Sequence, residues 1–212
     1  MIKKEIIPFA GYPIYLVKSD FILNNDELNF IRNLNYRLHH QIKNLKLSIN
    51  MDILKLNELK RLKNFIRENL DNYINDVWEI KNKFYFCQSW STIQSKGAHH
   101  PMHSHPNHII SSVYYVKTEK TNLMFSVEKD KISENFHFEY EIKNSNYFNS
   151  KLCTVDVEPG SIVFFPGSLN HGSTINTEEE RITVPSSFFV DGKIGSKYNY
   201  TNNIDITNSN KY

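Results

Sequence analysis

Five of the nine histidines in this 212-residue chain fall within eleven consecutive residues, the stretch AHHPMHSHPNH at 98–108. Imidazoles at this density either grip a transition metal or line a solvated polar loop. Pro101 and Pro106 exclude a helix through the stretch. On an extended chain alternate side chains share a face, so His103 and His105 project together. Two neutral imidazoles so placed suit one metal ion. A third candidate ligand is His171, which follows an apolar run and a Pro-Gly turn in EPGSIVFFPGSLNHG. Ten residues on, Arg181 and Thr183 share a strand face and offer a guanidinium fork and a hydroxyl to one carboxylate. Blander roles stay open for each: a structural histidine at 171, a surface ion pair between Arg181 and the acidic run 178–180, and plain strand propensity for Thr183.

The elements that would hold these groups fall into two parts. Residues 1–80 read as a short strand, from IIPFA and YPIYLV, followed by support helices. The segment NNDELNFIRNL starts a helix with Asn25 as N-cap and acidic residues in its first turn. Further on, Leu56, Leu59, Leu62, Ile66, Leu70, Ile74 and Trp78 recur at spacings of three and four, one apolar stripe of an amphipathic helix that lies on a sheet. From residue 81 the pattern turns to short aromatic and β-branched runs: KFYFCQSWSTI, HIISSVYYVKT, TNLMFSVEK, FHFEYEI, LCTVDVEPGSIVFFP and RITVPSSFFV. Short strands without intervening helices predict an antiparallel sandwich or barrel over 81–191. The polar tail at 192–212 is expected to be loosely held.

Composition narrows the function classes. A net charge of +2 gives no electrostatic footprint for nucleic acid. No apolar run reaches the roughly 20 residues that span a bilayer, and the N-terminus lacks the apolar core of a signal peptide. Two cysteines, Cys87 and Cys153, are too few for a disulfide framework and fit a reducing, cytoplasmic setting. A single domain, 1–212, is expected.

The order His-x-His, a distal His, then Arg-x-Thr ten residues later resembles the iron(II)- and 2-oxoglutarate-dependent oxygenases. More narrowly, HSHPNHIISSVYYV, VEPGSIVFFPGSLNHG and ERITVPSSF resemble an oxygenase group met in marine microbes and phages. Its pattern is H-x-H-P…S-G-V-Y-Y…P-G…F-P…H…R-I-S-x-S-F, and the likeness covers roughly 85–190. The resemblance implies a mainly β, α+β protein: a double-stranded β-helix, or jelly roll, backed by N-terminal helices. It implies Fe(II) on His103, His105 and His171, 2-oxoglutarate anchored by Arg181 with Thr183, and contacts from Tyr115 and Ser111 to the same carboxylate. O2 would then be consumed to oxidise, most commonly hydroxylate, a peptide side chain or small molecule, with release of succinate and CO2. Two positions depart from the pattern. His105 stands where the family's usual triad has a carboxylate, and Ser112 replaces a glycine. Trp90 matches an aromatic before the site but reads better as a core residue. His99, His100 and His108 either line the mouth of the site, with contacts to substrate or to the ligand groups, or are solvated loop residues, and the second reading is the better one.

A rival lies in the same architecture. The cupin motifs match through Gly97, His103 and His105, then Gly160, Pro166 and His171, but lack the glutamate and displace one glycine. A three-histidine cupin dioxygenase would not use 2-oxoglutarate, so Arg181 separates the two ideas. A non-catalytic jelly-roll binding module is the third reading. Because ligand imidazoles must be neutral, metal binding is expected to weaken below about pH 6.

Overall fold

Strands β1 (Lys3–Phe9) and β2 (Tyr12–Lys18) form an antiparallel hairpin in this computed structural model, closed by Gly11 at φ +86°. The structure describes residues 2–9, 11–119, 121–128, 141–147, 149–195 and 204–207. The single strand expected for residues 1–20 is therefore two. The left-handed turn needs a residue without Cβ, and Gly11 supplies it. Helix α1 (Asn25–Arg32) follows. Its N-cap is Asn24, not Asn25: Asn24 Oδ1 accepts from Glu27 N–H, and Glu27 Oε2 accepts from Asn24 N–H, both at 2.9 Å. The glutamate three residues on selects the earlier asparagine, since it closes the reciprocal pair.

Next come β3 (Tyr36–Leu38) and β4 (Leu45–Ser48), then two 3₁₀ turns, Ile53–Lys55 and Asn57–Leu59. Helix α2 (Lys60–Tyr73) runs into a π turn, Ile74–Trp78. Of the predicted stripe, Leu59, Leu62, Ile66, Leu70 and Ile74 are buried, while Trp78 is exposed at the end of the π turn, where the 3.6-residue period is lost.

The remaining strands are β5 (Lys83–Ser89), β6 (Thr92–Ser95), β7 (Ile110–Lys117), β8 (Leu123–Ser126), β9 (Leu152–Val155), β10 (Ile162–Pro166), β11 (Asn170–Ser173), β12 (Glu180–Asp191), β13 (Lys193–Ile194) and β14 (Ile204–Asp205). KFYFCQSWSTI is thus two strands, parted at Trp90 and Ser91. Residues 136–140 of the FHFEYEI run lie outside the described residues, as does most of the tail beyond its β13–β14 pairing.

A larger sheet runs β1-β2-β10-β7-β12-β6-β4-β3, with β5 on the other half of β12, and a smaller sheet runs β11-β8-β9. The two sheets form a jelly roll. Strands from residues 1–80 join its larger sheet, so the sheet is not confined to 81–191. The centre of that sheet is buried on both faces. Val163, Phe165 and Tyr115 meet Phe125, Leu123 and Val155 between the sheets, while Ile162, Phe164, Tyr114, Val184 and Phe188 meet Leu62, Ile66, Leu70 and Tyr73 on the helical side. Double-sided burial explains why IVFFP reads as a continuous apolar run, with no alternation.

Candidate metal centre and anion pocket

The histidine-rich stretch is a loop, not a strand, tied to β11 of the smaller sheet at His100 and at His103. His103 and His171 exchange backbone hydrogen bonds, His103 N–H to His171 O at 2.9 Å and His171 N–H to His103 O at 2.8 Å. Gly172 allows this approach. A Cβ there would stand 2.7 Å from His100 O and 2.9 Å from Met102 Sδ.

One ring nitrogen from each of His103, His105 and His171 lies within 4.8 Å of the others. The two rings on the loop come closest, His103 Nε2 to His105 Nε2 at 3.1 Å. Backbone carbonyls fix the ring states. His103 Nδ1 is 2.7 Å from Pro101 O, and His171 Nδ1 is 2.9 Å from Leu169 O, each a carbonyl two residues earlier. A carbonyl only accepts, so each Nδ1 must carry the proton and each Nε2 keeps a lone pair. Burial, with neighbouring imidazoles, pushes His171 down to about 3 and His105 to about 4, so both stay neutral near pH 7. Neutral imidazoles with inward lone pairs fit a divalent transition metal.

The remaining histidines divide. His99 is exposed, as expected. His100 and His108 are half-buried, which corrects the solvated-loop reading. Burial beside His103 and Arg181 pushes His100 down to about 3. His108 Nδ1 donates to Pro106 O (3.2 Å), which leaves Nε2 to accept the Ser111 hydroxyl at 2.6 Å. Its ring packs on Gly167, where a Cβ would stand 2.7 Å from Cδ2 and Nε2. Trp90 is also no core residue. It lines the cavity, half-buried, edge-on to His105 with centroids 6.0 Å apart.

The three imidazoles line a cavity of ≈ 570 Å³ together with Arg181, Thr183, Tyr115 and Ser111. Arg181 is only 3% exposed. Glu180 pairs instead with Arg32 (2.6 Å) and Lys117 (3.3 Å), and no described carboxylate forms a salt bridge with Arg181. Its Nη1 donates to Gln94 Oε1, and its Cζ lies 5.3 Å over the Tyr115 ring. Its Nε, the Tyr115 hydroxyl and Gln94 Nε2 are buried without a hydrogen-bond partner. Burial raises the Tyr115 phenol to about 12, which keeps it a donor. Thr183 Oγ1 and Thr92 Oγ1 share one hydrogen bond at 2.6 Å and have a second hydroxyl proton left over. A buried cation with orphaned donors beside it is costly unless an anion completes it. The inner end therefore fits a carboxylate. Ser112, the departure from glycine, is buried on β7 opposite Ser186 of β12, and both hydroxyls lack partners.

Sequence reasoning missed Gln94 and Thr92. Both lie on β6 opposite β12, where Arg181 pairs with Gln94 and Thr183 with Thr92. Cross-strand register, which no local motif encodes, brings them in.

Residues 88–187 match the family model described as "Putative 2OG-Fe(II) oxygenase". Similar solved structures include HygX from Streptomyces hygroscopicus with nickel and 2-oxoglutarate bound (TM-score 0.56, 11% identity, 83% of this chain and 82% of that one). An oxidoreductase of the 2OG-Fe(II) oxygenase family from Burkholderia pseudomallei is similar at TM-score 0.54 and 8% identity, over 76% of this chain and 74% of that one. A prolyl hydroxylase from Trichoplax adhaerens, in complex with a hypoxia inducible factor oxygen degradation domain peptide fragment, gives TM-score 0.52 and 12% identity over 77% and 74%. At these identities the likeness is one of fold. No curated protein sequence matches the chain.

Proposed function

We propose, from the match of residues 88–187 to the 2OG-Fe(II) oxygenase model, that this chain is an iron(II)- and 2-oxoglutarate-dependent dioxygenase. In this reading His103, His105 and His171 hold the metal. Arg181, with Thr183 and Tyr115, binds the distal carboxylate of the cosubstrate. The observation that carries it is the buried Arg181 guanidinium, its Nε unpartnered, on the same cavity as three converging imidazoles.

When bound, iron(II) with 2-oxoglutarate and O2 supplies the oxidising chemistry, and the cosubstrate leaves as succinate and CO2. The chain's own part is positioning and exclusion of water. Pro101 O and Leu169 O orient the His103 and His171 rings. Arg181 meets an anion where little solvent screens the attraction. Tyr115 and the Thr183–Thr92 pair add neutral donors. Ser111 lines the same wall, but its proton goes to His108, so it can only accept. Val113, Leu123 and Phe165 form the apolar walls around these groups.

A third imidazole in place of a carboxylate leaves one more positive charge at the centre. The diacid then does part of the neutralising, so iron retention should depend on it. The test is an anaerobic Fe(II) titration with and without 2-oxoglutarate, following the visible charge-transfer band of the chelate. A band that forms in the wild type and vanishes in Arg181→Ala is the expected result. Tight iron binding without a band refutes the reading and favours a three-histidine cupin chemistry. Absence of metal uptake leaves a binding module.

The prime substrate is a small molecule or peptide side chain. A net charge of +2 suits no nucleic-acid partner, and no described helix is long and apolar enough to cross a membrane. The free thiols of Cys87 and Cys153 suit the cytoplasm. We treat residues 1–212 as one oxygenase unit, with 192–212 peripheral to the site.

A further inference from the structure

The outer half of the cavity uses none of the groups assigned above. Ile42 and Leu47 of the β3–β4 hairpin, Met51 after it, and Trp90 between β5 and β6 face that space. None of the four belongs to either hydrophobic core, and each is only partly covered. Apolar side chains held half-bare around a cavity form a surface for an apolar ligand. Trp90 meets His105 edge-on, at 72° between ring planes, so a group lying on Trp90 abuts the imidazole cluster.

Charge is the second observation. Among the described residues lining the cavity, Arg181 alone carries a formal charge, and it sits at the inner end. No lining carboxylate faces the outer half to hold a cation, and no lysine or arginine to hold an anion. The polar groups there are Gln41, Gln88 and His39.

Building on the oxygenase reading, we propose that the outer half receives the prime substrate as an uncharged, hydrocarbon-rich group laid against Trp90, and that the segment 39–51 sets which substrates enter. The hairpin belongs to the N-terminal part of the chain, so specificity would be carried outside the 88–187 segment that carries the family pattern.

The test uses the full chain without metal and the neutral fluorescent probe N-phenyl-1-naphthylamine. A Trp78→Phe background leaves Trp90 as the sole indole reporter. Saturable probe binding that quenches Trp90, and is roughly tenfold or more weaker in Met51→Asp and in Ile42→Asp, is the expected result. Both positions are partly exposed, and circular dichroism checks that both variants fold. Neutral capped peptides and neutral small molecules then compete with the probe. Displacement by either supports the proposal and identifies the source of the group. No saturable binding, equal binding in both folded variants, or displacement by charged competitors alone overturns it. The iron–2-oxoglutarate band in the same protein separates the two readings. A band without probe binding sinks this inference alone, whereas probe binding without a band keeps the apolar site and sinks the oxygenase reading beneath it.

Discussion

At the scale of single residues, the Tyr115 hydroxyl separates a binding role from a structural one. It is buried with no partner at good hydrogen-bond geometry and only the Arg181 guanidinium beside it, so its desolvation is compensated only weakly in the folded chain. Tyr115→Phe is expected to leave the metal-free protein as stable or slightly more stable. The same change should weaken 2-oxoglutarate by roughly tenfold or more, the range for a hydrogen bond to a charged group. Thermal melts and calorimetric titration check the two halves, and a destabilised variant with unchanged affinity refutes the assignment. That His103, His105, His171 and Arg181 share one cavity was legible in the sequence because residue type and order carry their candidate chemistry. Arg181 was legible only as a candidate, since a surface ion pair with residues 178–180 reads equally well until Glu180 is seen on Arg32 and Lys117. His100, His108 and Trp90 were misread because burial is a tertiary property. A histidine among prolines and asparagines looks solvated until Gly167 and Gly172 let the loop close down on the sheet.

At the scale of elements, the 98–108 loop is held to β11 through the His103–His171 pairing and the His100–Ser173 hydrogen bonds, and Gly172 between them keeps the way open. Gly172→Ala is expected to push the loop off the strand. Iron affinity should fall at least about tenfold, with a stability loss of only about 1–3 kcal/mol, the usual range for overpacking. Metal titration against urea denaturation checks this, and unchanged iron affinity refutes it. The strands after residue 81 were legible from composition and turn residues. Their partition was not: a break in the pairing at Trp90–Ser91 splits one apolar run into β5 and β6, which run in the same sense along successive halves of β12. The hairpin at the start carries its own signal in Gly11 between two apolar runs, whereas the places of β2, β3 and β4 in the larger sheet rest on pairings far apart in sequence.

For the whole molecule, the buried imidazoles tie folding to acidity. His100, His105 and His171 sit at about 3, about 4 and about 3 in the folded chain, against about 6.5 unfolded. The folded values are the lower ones, so as pH falls below 6.5 the unfolded chain takes up protons first. Stability is then fully present above about 6.5 and drains away toward about pH 4. Metal-free protein should show a lower urea midpoint at pH 5 than at pH 7, with a shallower decline in His100→Gln, and an unchanged midpoint refutes this. His105 and His171 themselves begin to compete for protons only near those lower values, below the pH 6 expected from unperturbed histidine. The jelly roll also places its two chemical ends on opposite walls: His171 on the smaller sheet and Arg181 on the larger. Between the walls, Phe165 meets Phe125 edge-on at 4.9 Å and lies tilted against His171 at 4.7 Å between ring centroids. The aromatic filling that stabilises the sandwich is thus also a ruler. It sets the span a dicarboxylate must bridge, and a molecule of the right length becomes a tie rod that damps the breathing of one sheet against the other.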